Sequence, residues 1–294
     1  MRIAEVALIH HRTPQVAARA LAALARSAPE VPVRVLDTGG TAPEALRVGA
    51  AHPHARLEPR PNLGYAATVN HALDTAGGAL VCVMNADVLI EPDTLHALAA
   101  PFHDPRVALT GPLARGPDGR IQDQGIPYRA YTAQLGGAGP AATLRVPWVS
   151  GCIFAVRVAA AQDAGGMDAS LRFYDEDLEW GLRLRARDWR VQLVGAEVVH
   201  LGAGKGPSDP RFMIEGLRGG MITARRHHGP VRRAAQRWAV GAVAMVRARV
   251  GPAPQRAAWH AVLGMFWHGR FDQSPFGETL DQDDPDFDPW GRRA

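Results

Sequence analysis

The order of patterns along this 294-residue chain predicts a doubly wound α/β fold. Three observations carry the prediction. Short apolar runs alternate with helix-spaced segments through the first half of the chain. The run Ala79-Leu80-Val81-Cys82-Val83-Met84 has no polar interruption, as a strand at the centre of a parallel sheet requires. Asp37, Asn62 and Asp87 each fall on a loop leaving the carboxyl end of a strand, where open sheets of this kind bind ligands.

The elements follow in order. Residues 3–9 form the first strand, and Thr13-Pro14 then supplies an N-cap and a first-turn proline for an alanine-rich helix to residue 27. A second strand at 31–36 runs into the polar turn Asp37-Thr38-Gly39-Gly40, and a third lies near 56–58. Asn62-Leu63-Gly64-Tyr65 leads into a helix that reaches about residue 75 and stops at Gly77-Gly78. The apolar strand at 79–84 ends at Asn85-Ala86-Asp87, and a helix over 92–102 follows. From Gly111 to Pro140 a stretch rich in glycine and proline reads as a mobile loop on the acceptor side. Residues 146–156 form a strand containing Trp148-Val149-Ser150-Gly151, residues 175–187 a helix, and residues 190–200 another strand. Beyond residue 206 the chain turns to arginine, alanine and tryptophan in helices, and the last twenty residues are an acidic tail.

Composition narrows the class. Hydrophobic residues at 47% and charged residues at 21% fit an ordinary globular protein rather than a disordered or fibrous one. Cys82 and Cys152 sit in apolar runs and read as buried thiols, with no disulfide framework implied. No signal sequence or bilayer-spanning run is evident, which leads to the expectation of a cytoplasmic protein. Lys205 is the only lysine, and arginines cluster between 211 and 256. That cluster suits a diphosphate or an anionic membrane surface, or is a solvated helix face. The aromatic-basic interleaving of RNA-binding segments is lacking, which argues against nucleic acid.

Several side chains stand where chemistry is done. Asp87 emerges directly after a buried strand, and one carboxylate suffices to hold a hard divalent cation that otherwise keeps water and phosphate oxygens. An aspartate there also serves as a turn or cap residue. His200 ends a strand before the glycine-rich exit Leu201-Gly202-Ala203-Gly204, placed either as a second ligand or as a strand-end imidazole bonded to backbone. Asp175-Glu176-Asp177-Leu178-Glu179 opens a helix, where the macrodipole alone favours negative charge. Within it Glu176, Glu179 and Arg183 share one face, leaving Asp177 to point elsewhere, toward a cleft where it could take a proton from an attacking hydroxyl.

Taken in order, Asp37, Asn62-Leu63-Gly64-Tyr65-Ala66 with Asn70, Asn85-Ala86-Asp87, Val149-Ser150-Gly151, Gly165-Gly166-Met167-Asp168, Glu176-Asp177 with Arg183, and His200 resemble family 2 glycosyltransferases, in particular their rhamnosyltransferase-like bacterial branch. The likeness covers residues 3–204. It implies a GT-A fold, a Rossmann-like mixed sheet flanked by helices, over residues 1–205. Within it, residues 1–112 would bind the nucleotide sugar and 113–205 the acceptor, and 206–294 would be a helical extension and tail. By the same likeness Asp37, Asn62, Gly64, Tyr65, Asn70, Asn85 and Asp87 would bind the donor. Trp148, Ser150, Gly151 and Glu176 would line the acceptor and sugar pocket, Asp87 and His200 would hold Mg2+ or Mn2+, and Asp177 would be the catalytic base. Asn85 replaces the first aspartate of the family's metal motif, Glu179 stands where aspartate is usual, and Met167 replaces a customary phenylalanine.

The function this implies is inverting transfer of a sugar from a dTDP- or UDP-sugar, with dTDP-rhamnose the leading donor, to a hydroxyl of a saccharide or lipid-linked acceptor in cell-surface polysaccharide or glycoconjugate synthesis. Two other classes compete. A silent sugar-nucleotide-binding protein would have lost the base or the metal position, and neither is lost. A nucleotidyltransferase would carry a glycine-rich phosphate loop after the first strand, where this chain has His10-His11-Arg12-Thr13-Pro14. The helices over 206–270 are expected to pack Trp238, Trp259 and Trp267 in a core, with peripheral contact to the inner face of the membrane or homodimerisation as further uses.

Overall fold

A computed structural model describes residues 1–40, 52–122, 126–202, 210–269, 271 and 274–275. Lys205 and the acidic tail lie outside them. The chain divides into two compact units, one made of residues 1–61, 67–167 and 180–204 and the other of 62–66, 168–179 and 205–294.

The first unit is built on one mixed sheet, nine-stranded among the described residues, in the order β3-β2-β1-β4-β8-β6-β9-β5 with β7 also paired to β9. Strands β1 (Glu5–His10), β2 (Val33–Asp37), β3 (Ala55–Pro59) and β4 (Leu80–Asn85) lie parallel. On its other side β4 meets β8 (Ile153–Arg157) antiparallel, so the apolar run is central to a mixed rather than a wholly parallel sheet. It is still buried on both faces, with Val81, Cys82, Val83 and Met84 fully shielded, which is why the run carries no polar residue. Helix α1 (Pro14–Ser27) lays Ala17, Ala20, Leu21 and Leu24 against the sheet at spacings of three and four. Thr13 precedes it as expected but makes no side-chain cap, and its N–H instead bonds His10 Nε2 at 3.0 Å.

Several segments depart from the sequence expectation. The helix over 92–102 is α3 (Thr94–Ala99) followed by a 3-10 turn at Ala100–His103, the tighter turn starting where Pro101 removes an amide donor. The stretch 111–140 is not one loop. Strand β6 (Val107–Arg115) continues through Gly111-Pro112, and helix α4 (Ile126–Leu135) and strand β7 (Thr143–Arg145) follow. A Cβ on Gly111 would stand 2.6 Å from Val149 Cβ, so the glycine that looked like a loop residue is there for close packing. Residues 146–152 are not strand, and β8 begins only at Ile153, because Trp148-Val149-Ser150-Gly151 crosses β6 rather than pairing with it. Two short elements gave no sequence signal, β5 (Val88–Ile90) and helix α5 (Val158–Ala164). The strand expected at 190–200 is β9 (Arg190–His200).

Helix α2 (Tyr65–Asp74) is tied to the sheet by charge. Arg34 on β2 is 2% exposed and donates from Nε and Nη2 to the two Glu5 oxygens on β1 at 3.1 and 2.8 Å, from Nη2 to Ala72 O at 2.7 Å, and from Nη1 to Thr75 Oγ1 at 2.8 Å.

The second unit packs helices α7 (Pro210–His227), α8 (Pro230–Val250) and α9 (Ala253–His268) around Leu171, Ile214, Ile222, Ala244, Val262 and Phe266. Glu215 and Arg218, both fully buried, pair on α7. Trp259 packs against this core. Trp238 and Trp267 do not, being 77% and 85% exposed, since each falls on the outward side of its helix. No helix among the described residues is long and apolar enough to cross a membrane.

Removing one member of a buried ion pair leaves the other charge uncompensated. Glu5→Ala leaves buried Arg34 with Glu58, at 3.5 Å, as its remaining counter-charge, and should lower the unfolding free energy by up to about 3–5 kcal/mol. Urea denaturation followed by circular dichroism measures this, and a loss below about 1 kcal/mol would reduce the pair to the worth of a surface contact.

Candidate active site

The carboxyl ends of β1, β2 and β4 bring the first group of polar residues together. Register opposes His10 to Asp37, and His10 Nδ1 lies 2.8 Å from Asp37 Oδ1. The imidazole accepts the Thr13 N–H at Nε2, so Nδ1 carries the proton and donates it to Asp37. Asp37 also accepts the Gly39 N–H at 3.2 Å. It is the last residue of β2 and 1% exposed, rather than a loop residue. Nearby, burial lowers the pKa of His11, whose Nδ1 faces the Thr38 carbonyl at 3.2 Å.

Asn85 and Asp87 flank buried Ala86 between β4 and β5. The Asn85 N–H bonds Cys152 O at 2.8 Å and the Ala86 N–H bonds Ile9 O at 2.9 Å, fixing the turn between neighbouring strands. Antiparallel pairing of β5 with β9 sets Val88 opposite His200, and Leu201 N–H bonds Asp87 O at 2.9 Å. His200 Nε2 thereby comes within 3.2 Å of Asp87 Oδ1. Gln122 donates from Nε2 to His200 O at 3.0 Å and turns its Oε1 to His200 Nδ1 at 2.6 Å. An amide oxygen there requires the proton on Nδ1 and points Nε2 at the carboxylate oxygen, with a proton or a cation between the two. The pair therefore has the chemistry of a ligand set for a hard or borderline divalent ion, with Gln122 orienting the imidazole. Among the described residues no group of three or more His, Cys, Asp or Glu side chains could hold a metal ion, so a cation here would draw its remaining ligands from water or substrate.

Also in the first unit, Trp148 is packed against Tyr128 and Tyr131 at ring distances of 5.6 and 6.2 Å, and Ser150 Oγ accepts the Cys152 N–H at 3.3 Å. Gly151 follows in the turn that leads to β8. Asn70 on α2 clamps residue 167, donating to Met167 O at 2.8 Å and accepting Met167 N–H at 2.7 Å. Gly166 permits this clamp, since at φ 70° it has no Cβ to strike Asn70 Oδ1, which would lie 2.6 Å away.

The second unit holds the carboxylate run. Its segment 62–66 carries Asn62, whose Oδ1 accepts the Gly64 N–H at 3.3 Å, with Gly64 at φ 95° and Tyr65 starting α2. Arg172 donates to Leu63 O at 2.7 Å, and its own N–H bonds Glu215 Oε1 at 2.8 Å. Tyr174 and Asp175 both have φ 66°, a costly pair of left-handed residues held just before helix α6 (Glu176–Arg185). Gly219 on α7 makes room for them, because its Cβ would lie 3.1 Å from Asp175 Cβ and Tyr174 O. Glu176 is buried and its Oε2 finds no hydrogen-bond partner among the described residues. Glu179 faces inward too, within 3.2 Å of His227 and 3.4 Å of Arg226. Asp177 is half-buried and accepts the Leu178 N–H at 2.7 Å. Burial, with the Asp177 charge next, drives Glu176 well above the usual carboxylate range. The same causes, joined by Glu215, raise Asp175 to about 7.

Sequence reasoning overlooked His10, Gln122, Glu215 and Arg218. For His10 a signal existed, a polar residue directly after the apolar run Val6-Ala7-Leu8-Ile9. Glu215 and Arg218 were visible as an acid and a base three apart on an otherwise apolar helix face. Nothing singled out Gln122, which lies in the stretch read as loop.

The first unit carries an acid–imidazole pair at the strand ends of a mixed sheet, and the second unit carries a buried carboxylate run. Residues 80–277 match the model of glycosyl transferase family group 2, through the three C-terminal helices. The chain is 32% identical over 218 residues to the N-acetylglucosaminyl-diphospho-decaprenol L-rhamnosyltransferase of Mycobacterium tuberculosis, covering 62% of this chain and 71% of that protein. Solved structures share the fold. A mannosyltransferase from Pyrobaculum calidifontis in complex with GDP-Man and Mn2+ superposes with a TM-score of 0.61 at 18% identity, over 92% of this chain and 86% of that one. GalNAc-T7 with UDP, GalNAc and Mn2+ gives 0.63 at 13% identity over 91% of this chain, which spans 56% of that longer one. The chain belongs to glycosyl transferase family group 2 and is a glycosyltransferase with the GT-A fold.

The raised Asp175 has a consequence for stability. Its folded pKa of about 7 exceeds its ordinary value of 3.8, so folding favours the protonated form. The stabilisation is complete below about pH 4 and is lost as pH rises through 7. Asp175→Asn, which keeps the neutral shape, should melt above the parent protein at pH 8 by at least about 2–4 °C, the shift worth 1 kcal/mol in a chain of this size. The gap should close toward pH 4. Parallel melting curves across that range would reject the assignment.

Proposed function

We propose that this glycosyltransferase moves a sugar from a nucleoside-diphosphate donor, a dTDP- or UDP-sugar with dTDP-rhamnose first, to a hydroxyl on a saccharide carried by a lipid, with inversion at the anomeric carbon. The observation that carries the reading is the Asp87–His200 pair, held by strand register and by Gln122 with Nε2 turned to a carboxylate oxygen at 3.2 Å. The rhamnosyltransferase relative, whose name specifies a sugar-diphospho-decaprenol acceptor, supports the donor sugar and the acceptor class. Such acceptors belong to the synthesis of cell-surface polysaccharides or glycoconjugates and are presented at a membrane surface.

In this reading Asp87 and His200 hold Mg2+ or Mn2+. When bound, that cation offsets the charge growing on the departing nucleoside diphosphate. Asp37, Asn62, Gly64, Tyr65, Asn70 and Asn85 shape the donor's place. For Asp37 and Asn70 the action is by positioning, since the carboxylate is engaged by His10 and the amide by Met167. Trp148, Ser150 and Gly151 of the first unit, and Glu176 of the second, are assigned to binding of the sugar and acceptor. Asp177 takes the proton from the acceptor hydroxyl as its oxygen attacks the anomeric carbon. Burial and the Asp177 charge raise the pKa of its neighbours Asp175 and Glu176, which makes them the less readily ionised members of the run.

Asp177→Asn should lower turnover by at least the ~100-fold that a general base contributes, with the thermal shift given by nucleotide sugars unchanged. Asp87→Ala should instead erase the part of that thermal shift that depends on manganese. Screening dTDP-rhamnose against UDP-sugars in the same assay identifies the donor. Near-normal turnover in Asp177→Asn would remove it as the base.

A further inference from the structure

An open groove of about 750 Å³ lies in the second unit, beginning at Tyr174, three residues before Asp177. It runs between α7, α8 and α9 and is lined by Phe212, Met213, Leu217, Val243 and Trp259, with Arg247 at its border. The size lies within the range of about 300–1,000 Å³ typical of small-molecule clefts. Among its described lining residues Arg247 is the charged one and none is acidic. Tyr174, Gln255 and Arg247 supply the polar side chains. A peptide bound along such a groove would bring one donor and one acceptor per residue with little to satisfy them. An unbranched or isoprenoid hydrocarbon makes no such demand, and a terminal phosphate suits the guanidinium.

The outer face of α8 continues the same chemistry. Val243 lines the groove and is itself half exposed, and along the same helix Val231, Trp238, Val246 and Val250 all stand open to solvent. The helix has five arginines, Arg232, Arg233, Arg237, Arg247 and Arg249, and no acidic residue. An exposed valine and tryptophan face interspersed with arginine alone is the pattern of a helix that lies at a lipid surface.

We propose that this groove binds the hydrocarbon chain of the lipid-carried acceptor, with Arg247 contacting the phosphate next to the chain. The proposal rests on the reading of the acceptor as lipid-linked and adds the place where its lipid is held. Tyr174 would sit where the chain gives way to the sugar, which explains why so costly a backbone conformation is kept with a tyrosine more than half exposed.

The test uses the full chain and farnesyl phosphate, with EDTA present so that no cation recruits the phosphate, and titration calorimetry as readout. Inorganic phosphate and farnesol serve as head-only and chain-only probes. Farnesyl phosphate should bind at least tenfold more tightly than inorganic phosphate. Val243→Asp, at an exposed position where folding is not at stake, should weaken it at least tenfold, and Arg247→Glu should weaken farnesyl phosphate while leaving farnesol unchanged. Neither variant should alter the thermal shift given by nucleotide sugars, so that failure of the groove and failure of the transfer reaction are read separately. Equal affinity for farnesyl and inorganic phosphate, or indifference to Val243→Asp, would overturn the proposal. So would sedimentation showing that Val243→Asp dissolves a dimer, or flotation showing loss of liposome binding, if either came without any farnesyl phosphate binding. Those results would assign the face to a second copy or to the bilayer surface.

Discussion

The position of the polar residues in the first unit depends on the burial of β4. Between β1 and β8 this strand has no face open to water, so its backbone groups must pair with neighbours and its side chains must be apolar until the strand ends. Asn85 is the first residue released from that requirement. The two amides that follow Met84 are taken by Cys152, in the turn that enters β8, and by Ile9 on β1, so the turn bearing Asp87 is held from both sides. The imidazole that meets Asp87 is carried by β9, the longest strand in the sheet, whose pairing with β5 brings it to that turn. A side-chain pair built this way has little freedom to relax.

The second unit solves a different problem, that of keeping several carboxylates close together. Asp175, Glu176, Asp177 and Glu215 would repel one another if all were ionised. Glu215 escapes by full pairing with Arg218, the Arg172 N–H and Ser274 Oγ. Burial and the Asp177 charge push Asp175 and Glu176 toward their protonated forms, which eases the repulsion. Asp177 itself is half-buried. The glycine at 219 and the left-handed residues 174 and 175 belong to the same arrangement, since they bring the run against α7.

How much of this was legible in the sequence depends on whether a residue's task is local. Strands β1, β2 and β4 could be read because burial on two faces leaves a largely apolar run, β9 because buried and half-buried residues largely alternate along it, and α1 because its alanines and leucines repeat at helical spacing. Asp87 and His200 could be noticed because each ends such a run. The stretch from Gly111 to Pro140 misled because glycine usually marks a turn, whereas Gly111 answers to Val149, far off in sequence. Trp148 to Gly151 misled for the converse reason, an apolar segment buried by crossing a strand rather than joining the sheet. That Asp37 would be shut in by His10, or that Gln122 would orient His200, depends on register between distant strands. Trp238 and Trp267 were expected in a core because tryptophan usually is. Only the packing of α8 and α9 decides which side of each helix faces out.

The two thiols deserve a last thought because of where they lie. Cys82 is at the middle of β4, its pKa pushed up by burial to about 12, and Cys152 is buried in the turn that leads to β8. While the sheet is closed Cys82 is both hard to ionise and out of reach, and Cys152 is shielded by burial. The native protein is therefore silent toward thiol reagents. A cysteine placed anywhere on its surface would label alone, and the slow appearance of the two natural ones would time the opening of the innermost strands.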